Sequence, residues 1–323
     1  MTRAAVLGPT TLLGREVRNL LGARRDRWTE ILLLATSEEE VGTVTELAGA
    51  ATLVTEATPE ALDGVDLLLA CGPLERDLPL IEKRPAGTSA ILLSPAATTE
   101  HGTPVVVGLN PEAATAGEVI VSPHPAAVAL SYLLAPLANM GLEGASATVI
   151  QPVSMFGDQG LDDLLNQTRE ILAMVGERRK TVFERQLAFN LYPVPEGSAA
   201  LAGLVRGATG IEAPLAIHAM QASVFHGLSI SLFARFGEDP GEERLREALA
   251  AQTHVTVREL ELEDGEEPEP EPGPIDAAAR DDVLVGSLRA DRGAPGGYWI
   301  WAVMDNLTRG GALNAVEIGE SIR

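Results

Sequence analysis

The first 122 residues carry six short runs that are apolar throughout, at 4–7, 31–34, 67–70, 90–93, 105–107 and 119–121. A strand with one wet face alternates apolar and polar residues. Runs without alternation have to be covered on both faces, as in the parallel sheet of an α/β protein. Between the first two runs lies 12–21, where Leu12, Leu13, Val17, Leu20 and Leu21 recur near the helical period. Strand, glycine turn, helix, strand is the repeating unit of a doubly wound Rossmann-type sheet, and that is the fold expected for this part of the chain.

The remainder reads differently. A strongly apolar helix is expected over 126–140, entered through Ser122-Pro123-His124-Pro125, since proline is well tolerated in a first helical turn. A strand is expected over 147–153, a helix over 161–175, and one long β stretch over 215–236. In that stretch Leu228, Ile230, Leu232 and Ala234 share one face, and Ser229 and Ser231 the other. Further strands are expected at 255–262, 283–288 and 299–303, and a last helix at 311–322. Alternating strands imply an antiparallel or mixed sheet with one wetter face, or a face covered by a second subunit. A length of 323 residues fits two such domains.

Charge narrows the partners. With 46 acids against 24 bases the net charge is −22, which repels nucleic-acid backbones and anionic membranes alike. No apolar run approaches the ~20 residues needed to span a bilayer, and a glycine at position 8 comes too early for a leader-peptide core. Cys71 is the only cysteine, so no intramolecular disulfide forms and a reducing, cytoplasmic setting is expected. The segment 259–274 holds eight acids and four prolines. It reads as a solvated loop held extended by proline and self-repulsion, in preference to an acidic docking tail.

The strongest chemical signal is Gly8-Pro9-Thr10-Thr11-Leu12-Leu13-Gly14, which follows the first strand and opens the first helix. That is the context of a dinucleotide-binding loop. Gly8 suits the tight turn and Gly14 the close helix packing, but Thr10 and Thr11 stand where glycine would let backbone approach a pyrophosphate. A grip on nucleotide and a turn that has lost it both remain open. The second strand ends in Ala35-Thr36-Ser37-Glu38-Glu39-Glu40. Three carboxylates repel a 2′-phosphate, whereas one of them can accept from a free 2′-hydroxyl, so NAD is favoured over NADP for any nucleotide bound there. The other reading is a solvated acidic loop. Cys71 has no neighbouring cation to activate it and reads as a packed thiol. The histidines at 101, 124, 218, 226 and 254 form no ligand pair, so no metal site is expected. His226 is the best candidate for acid/base work, although a lone histidine beside a strand bend is more often structural.

Four further stretches, 305–316, 186–190, Gln151 with Ser154, and Asn110-Pro111-Glu112, carry a resemblance, and on them the whole chain resembles the aspartate-semialdehyde dehydrogenases. Residues 305–316, Asp-Asn-Leu-Thr-Arg-Gly-Gly-Ala-Leu-Asn-Ala-Val, are similar to that family's D-N-L-R-K-G-A-A-L-N-A-V. Gln186-Leu187-Ala188-Phe189-Asn190 resembles its Q-I-A-F-N, Gln151 and Ser154 its Q-x-V-S-G-x-G strand end, and Asn110-Pro111-Glu112 its V-N-P-E. The resemblance implies a Rossmann domain over 1–124, completed by a C-terminal helix at 307–323. It also implies an inserted α+β dimerisation domain over 125–306, and hence a homodimer. It implies a reaction between an acyl phosphate and an aldehyde that uses NADP, a cysteine thioester and a histidine base. Gly8, Thr10, Thr11, Gly14, Ser37 and Asn306 would then be the cofactor-binding positions.

The residues of that reaction do not carry over. Aligned on the family's N-P-N-C-S-T, the stretch 122–127 puts Pro125 at the nucleophile. Aligned on V-x-V-F-x-G-H-S-E, the base falls on Leu228 and the following glutamate on Ile230. The arginine that holds the substrate carboxylate falls on Gln221, and the phosphate-holding arginine of N-S-S-A-F-R on Thr99, while Gln151 is retained. His226, two residues before Leu228, would share its face if both lay on one strand. The expectation is therefore a family member inactive in the family reaction, with a regulatory, scaffolding or nucleotide-sensing role and a protein partner the sequence does not identify. The alternative is an NAD(P)-dependent oxidoreductase with altered substrate and chemistry.

Overall fold

In a computed structural model, residues 2–174, 181–194, 197–258 and 270–322 are described. Most of the acidic, proline-rich segment, 259–269, lies outside them. The chain divides into two compact units, Met1–Pro125 with Gly310–Arg323, and Ala126–Arg309. Strands and helices are numbered along the chain.

Unit 1 contains β1 (Thr2–Leu7), β2 (Trp28–Ala35), β3 (Val44–Leu47), β4 (Ala50–Leu53), β5 (Thr55–Glu56), β6 (Leu67–Ala70), β7 (Ser89–Leu92), β8 (Thr103–Pro104) and β9 (Val119–Val121), with helices α1 (Leu12–Ala23) and α2 (Leu74–Glu82). Seven strands form one sheet in the order β5-β2-β1-β6-β7-β9-β8, and every pairing is parallel. The expected doubly wound sheet is present, and its unalternating runs are buried on both faces: Ala4, Val6, Leu68 and Ile91 are all fully covered. The C-terminal helix α7 (Asn314–Ser321) adds Ala315, Val316 and Ile318 to the same core.

Two departures have local causes. The run 105–107 is not a strand; the pairing with β9 is made by Thr103 and Pro104. Val105 and Val106 are nonetheless fully buried, because asparagine side chains replace much of the ladder. Asn110 Oδ1 accepts from the Val106 amide at 2.9 Å, and Asn314 Oδ1 from the Val107 amide at 3.0 Å. Asn314 Nδ2 also donates to the Val105 carbonyl at 3.1 Å. The β3–β4 hairpin was not anticipated; its two-residue turn, Ala48-Gly49, has positive φ at both positions, which only the glycine adopts without strain.

Unit 2 contains β10 (Leu142–Gln151), β11 (Leu191–Val194), β12 (Leu215–Ala222), β13 (Leu228–Phe236), β14 (Val255–Val257), β15 (Val283–Ala290) and β16 (Gly297–Met304). Its helices are α3 (Pro125–Ala138), α4 (Gly157–Leu172), α5 (Ser198–Thr209) and α6 (Glu242–Ala250). The sheet is mixed, in the order β11-β12-β10-β13-β16-β15-β14. The single stretch expected over 215–236 is in fact two strands that are not neighbours: β10 lies between them, parallel to β12 and antiparallel to β13. Residues 223–227 arch over the end of β10 to join them. The alternation in β13 holds from Ile230 onward, with Ile230, Leu232 and Ala234 buried and Ser231 and Phe233 half-buried. At the start of the strand Leu228 and Ser229 are both buried, so Ser229 is not on a wet face as expected. Within the motif 305–316, Thr308–Leu313 form a π-helical turn that precedes α7.

Candidate functional site

The crevice of unit 1 lies at the carboxyl ends of β1, β2 and β6, where the strand order reverses and ligands of doubly wound folds bind. Gly8 has φ +63°, and a Cβ there would lie 2.9 Å from the Gly72 amide nitrogen, so only glycine makes this turn. A Cβ on Gly14 would fall 2.1 Å from the Gly8 carbonyl oxygen, which explains the second glycine. Thr11 is the N-cap of α1: its hydroxyl accepts from the Gly14 amide at 3.0 Å and donates to the Gly8 carbonyl at 2.8 Å. The loop is held from behind as well. Arg15 donates to the Thr10 carbonyl at 2.9 Å and Arg18, itself buried, to the Pro9 carbonyl at 2.7 Å.

Across the mouth of this loop the Thr10 hydroxyl donates to the Glu40 carboxylate. Beside it, Asp77 joins the ends of two strands that flank β1. It accepts from Thr36 Oγ1 at 3.0 Å and from the Gly72 amide at 2.9 Å. Burial pushes its carboxyl up to about 6, and the charges of Glu40 and Glu75 add to that rise against the pull of its two donors. Ser37 contributes its carbonyl, which accepts from the Glu40 amide at 3.1 Å. Sequence reasoning missed Asp77; its signal was an acid in the first turn of a helix that opens after Cys71-Gly72-Pro73. Cys71 is buried, and burial, followed by the negative charge of Asp77, drives its thiol well above the usual range. That is the reverse of what activates a nucleophile.

Toward the end of unit 1, Ser122 Oγ accepts from Asn314 Nδ2 at 2.9 Å, and burial lowers His124 to about 4, so its imidazole is neutral at pH 7. Pro125 is the first residue of α3.

In unit 2 the structure gathers several of the singled-out residues at one end of the sheet. Gln151 ends β10, and Gln221, its register partner on β12, donates from Nε2 to the Gln151 carbonyl at 3.1 Å. Residues 153 and 154 pair with the arch: the Val153 amide donates to the Val224 carbonyl at 2.8 Å, and the Ser154 amide to the Phe225 carbonyl at 3.1 Å. Asn306, which the resemblance groups with cofactor binding, has its carboxamide taken up within this unit. Its Nδ2 donates to Ser154 Oγ at 3.0 Å, and its Oδ1 accepts from the Gly227 amide at 3.1 Å. Leu228 is fully buried at the start of β13. His226 is exposed in the arch and not on the strand, so the same-face relation to Leu228 assumed from sequence does not hold. Gln221 Oε1 is buried and makes no hydrogen bond, a feature no sequence signal announced.

The Gln186–Asn190 motif is a loop fastened to α4. Gln167 Oε1 accepts from the Leu187 amide at 2.7 Å and the Ala188 amide at 3.2 Å. One turn earlier, Asp163 Oδ2 accepts from the amides of Val182 and Phe183 at 2.9 and 3.0 Å. Burial works to raise Asp163, but these donors outweigh it and hold the carboxyl below its ordinary value. Among the described residues, no group of three or more His, Cys, Asp or Glu is placed to hold a metal ion. Nor is any helix long and apolar enough to cross a membrane.

Comparison with known proteins agrees with this geometry. The family model of the semialdehyde dehydrogenase dimerisation domain matches residues 134–309. The USG-1 protein homolog of Pseudomonas aeruginosa is 32% identical, over 98% of this chain and 96% of its own length. The aspartate-semialdehyde dehydrogenase of Bacillus subtilis is 27% identical, over 99% and 96%. The solved structure of a probable aspartate-semialdehyde dehydrogenase from Pseudomonas aeruginosa superposes with a TM-score of 0.88 at 29% identity, covering 99% of this chain and 97% of that one. The chain belongs to the aspartate-semialdehyde dehydrogenase family.

Proposed function

We propose that this family member is inactive in the family reaction and serves as a nucleotide-sensing, regulatory or scaffolding homodimer. The observation that carries this reading is the pair of positions at which the chemistry would have to occur. Pro125 opens α3 with a saturated ring that has no nucleophilic atom, and Leu228 is packed into the core of β13. Thioester chemistry needs a thiolate to attack the carbonyl and a base to move its proton, and loss of a covalent nucleophile alone removes several orders of magnitude of rate. The sole thiol, Cys71, is buried beside an acid. His226 is exposed, but no thiol or hydroxyl in the described residues is seen to be activated by it.

The unit 1 crevice, by contrast, keeps the parts that suit a dinucleotide: the Gly8 turn, the capped N-terminus of α1 and a carboxylate at the ribose position. When bound, such a cofactor would supply a hydride acceptor, and Gly8, Thr10, Thr11 and Gly14 would hold its diphosphate. Dimerisation is supported by the match to the dimerisation-domain model and by a sheet face on which Phe233, Trp299 and Trp301 stand half-buried, the two tryptophans helping to line a cavity of about 270 Å³.

The test is an assay of the purified chain with aspartate semialdehyde, phosphate and either NAD or NADP. No reduced cofactor is expected. Turnover at ordinary enzyme rates would overturn the proposal and favour the altered-oxidoreductase reading, in which His226→Ala should abolish the rate.

A further inference from the structure

Three consecutive carboxylates follow β2, and the structure separates them. Glu38 and Glu39 are exposed, whereas Glu40 is half-buried. Its backbone is pinned on both sides: its amide donates to the Ser37 carbonyl at 3.1 Å, and its carbonyl accepts from Thr43 Oγ1 at 2.8 Å and the Thr43 amide at 3.1 Å. Its side chain is turned onto the glycine loop by the Thr10 hydroxyl, and Thr10 is itself fixed by Arg15 on its carbonyl. Glu40 is therefore preorganised between the end of β2 and the loop that opens α1, where doubly wound folds place the ribose of the adenosine half.

We propose that Glu40 is the residue that selects a dinucleotide with a free ribose 2′-hydroxyl over one that carries a 2′-phosphate. The inference rests on the nucleotide reading of this crevice and goes beyond it by naming the ligand class and the residue that chooses it. A carboxylate has about four acceptor sites; Thr10 uses one, and the others can take a proton from a ribose hydroxyl. A 2′-phosphate offers no such donor at neutral pH and brings a second negative charge against the first. The rest of the crevice reinforces that repulsion, since Asp77 lies within the field of both Glu40 and Glu75. Arg15 and Arg18 each commit a donor to a loop carbonyl, those of Thr10 and Pro9.

The test is calorimetric titration of the full chain with NAD and with NADP, on the wild type, on Glu40→Gln, and on the Glu38→Gln/Glu39→Gln double variant. Glu40→Gln keeps the side-chain shape and removes the charge; Glu40→Ala serves as a second variant. The wild type should bind NAD at least about tenfold more tightly than NADP, a like-charge contact being worth that much or more. Glu40→Gln and Glu40→Ala should bring the two within about threefold, and the double variant should keep the tenfold preference. Equal affinities in the wild type, a preference for NADP, an unchanged ratio in both Glu40 variants, or a ratio lost only in the double variant would each overturn the assignment. Absence of binding by either dinucleotide would instead overturn the nucleotide reading, and the assignment with it.

Discussion

The unit 1 crevice and the strand-end cluster of unit 2 preserve different things. In the crevice, the side chains around the glycine loop are polar and organised: Thr10 with Glu40, Thr36 with Asp77, Thr11 capping α1. At the strand end, the residues that hold the backbone persist, with Asn306 joining Ser154 to Gly227. The positions to which the resemblance assigns the family's chemistry there hold Leu228, Ile230 and Gln221. The family-like motifs in both units, with the side chains that fasten them, share one physical role, which is to satisfy backbone groups. Asn110 and Asn314 do this for the run 105–107, Gln167 for the Gln186–Asn190 loop, and Asn306 for the arch. Burying such groups without partners costs free energy whether or not a reaction takes place, so these residues answer to folding and the catalytic ones to chemistry.

The sharpest way to break the comparison is at glycine. Gly14→Ala should destabilise the protein by at least about 3 kcal/mol, because its Cβ would lie 2.1 Å from a backbone oxygen that the loop cannot withdraw without losing its cap. Gly203→Ala, in the interior of α5 with open space around its Cβ, should instead stabilise by about 0.5 kcal/mol. Urea unfolding midpoints distinguish the two. Next come the clamps. Asn314→Ala strands the Val107 amide, the Val105 carbonyl and the Ser122 hydroxyl, and Asn306→Ala strands the Gly227 amide; about 2 kcal/mol is expected for each. A negligible change in either would refute the backbone-clamp role.

A smaller effect is set by pH. His124 is held neutral, so between pH 7 and 5 the unfolded state takes up a proton that the native state refuses, and stability falls. Asp77 behaves oppositely: with its carboxyl raised to about 6, the native state takes up the proton first, and stability rises as pH falls through that value. Relative to wild type, His124→Asn should therefore retain about 1 kcal/mol more stability on going from pH 7 to 5, and Asp77→Asn about 1 kcal/mol less. Parallel pH profiles for wild type and both variants would contradict the burial assigned to these groups. The smallest effect expected is from Pro125→Cys, which restores a thiol without a base or a carboxylate anchor and should show no turnover in the dehydrogenase assay.

Much of this was legible in the sequence where one physical rule acts alone. The fully apolar runs 4–7 and 67–70 became central parallel strands because nothing competes with covering both faces. The run 105–107 obeys the same burial rule, but Asn314, more than 200 residues away, supplies hydrogen bonds that a ladder would have made. The stretch 215–236 reads as continuous in β propensity, but β10 lies between its halves and the chain breaks across 223–227, where Gly227 takes a positive φ. For the site, the residue types at Pro125 and Leu228 are what the proposal of a missing nucleophile and base rests on. Residue types did not disclose that Glu40 alone of three acids turns onto the glycine loop, nor that His226 falls in the arch. Both depend on where a turn points its side chains.

The central claim concerns covalent chemistry, and intact-mass spectrometry addresses it directly. The purified chain, incubated with aspartate semialdehyde and NAD or NADP with phosphate omitted, should keep its unmodified mass, since its one cysteine is shielded. A stoichiometric acyl adduct that is released by hydroxylamine, on Cys71 or any hydroxyl, would contradict the account.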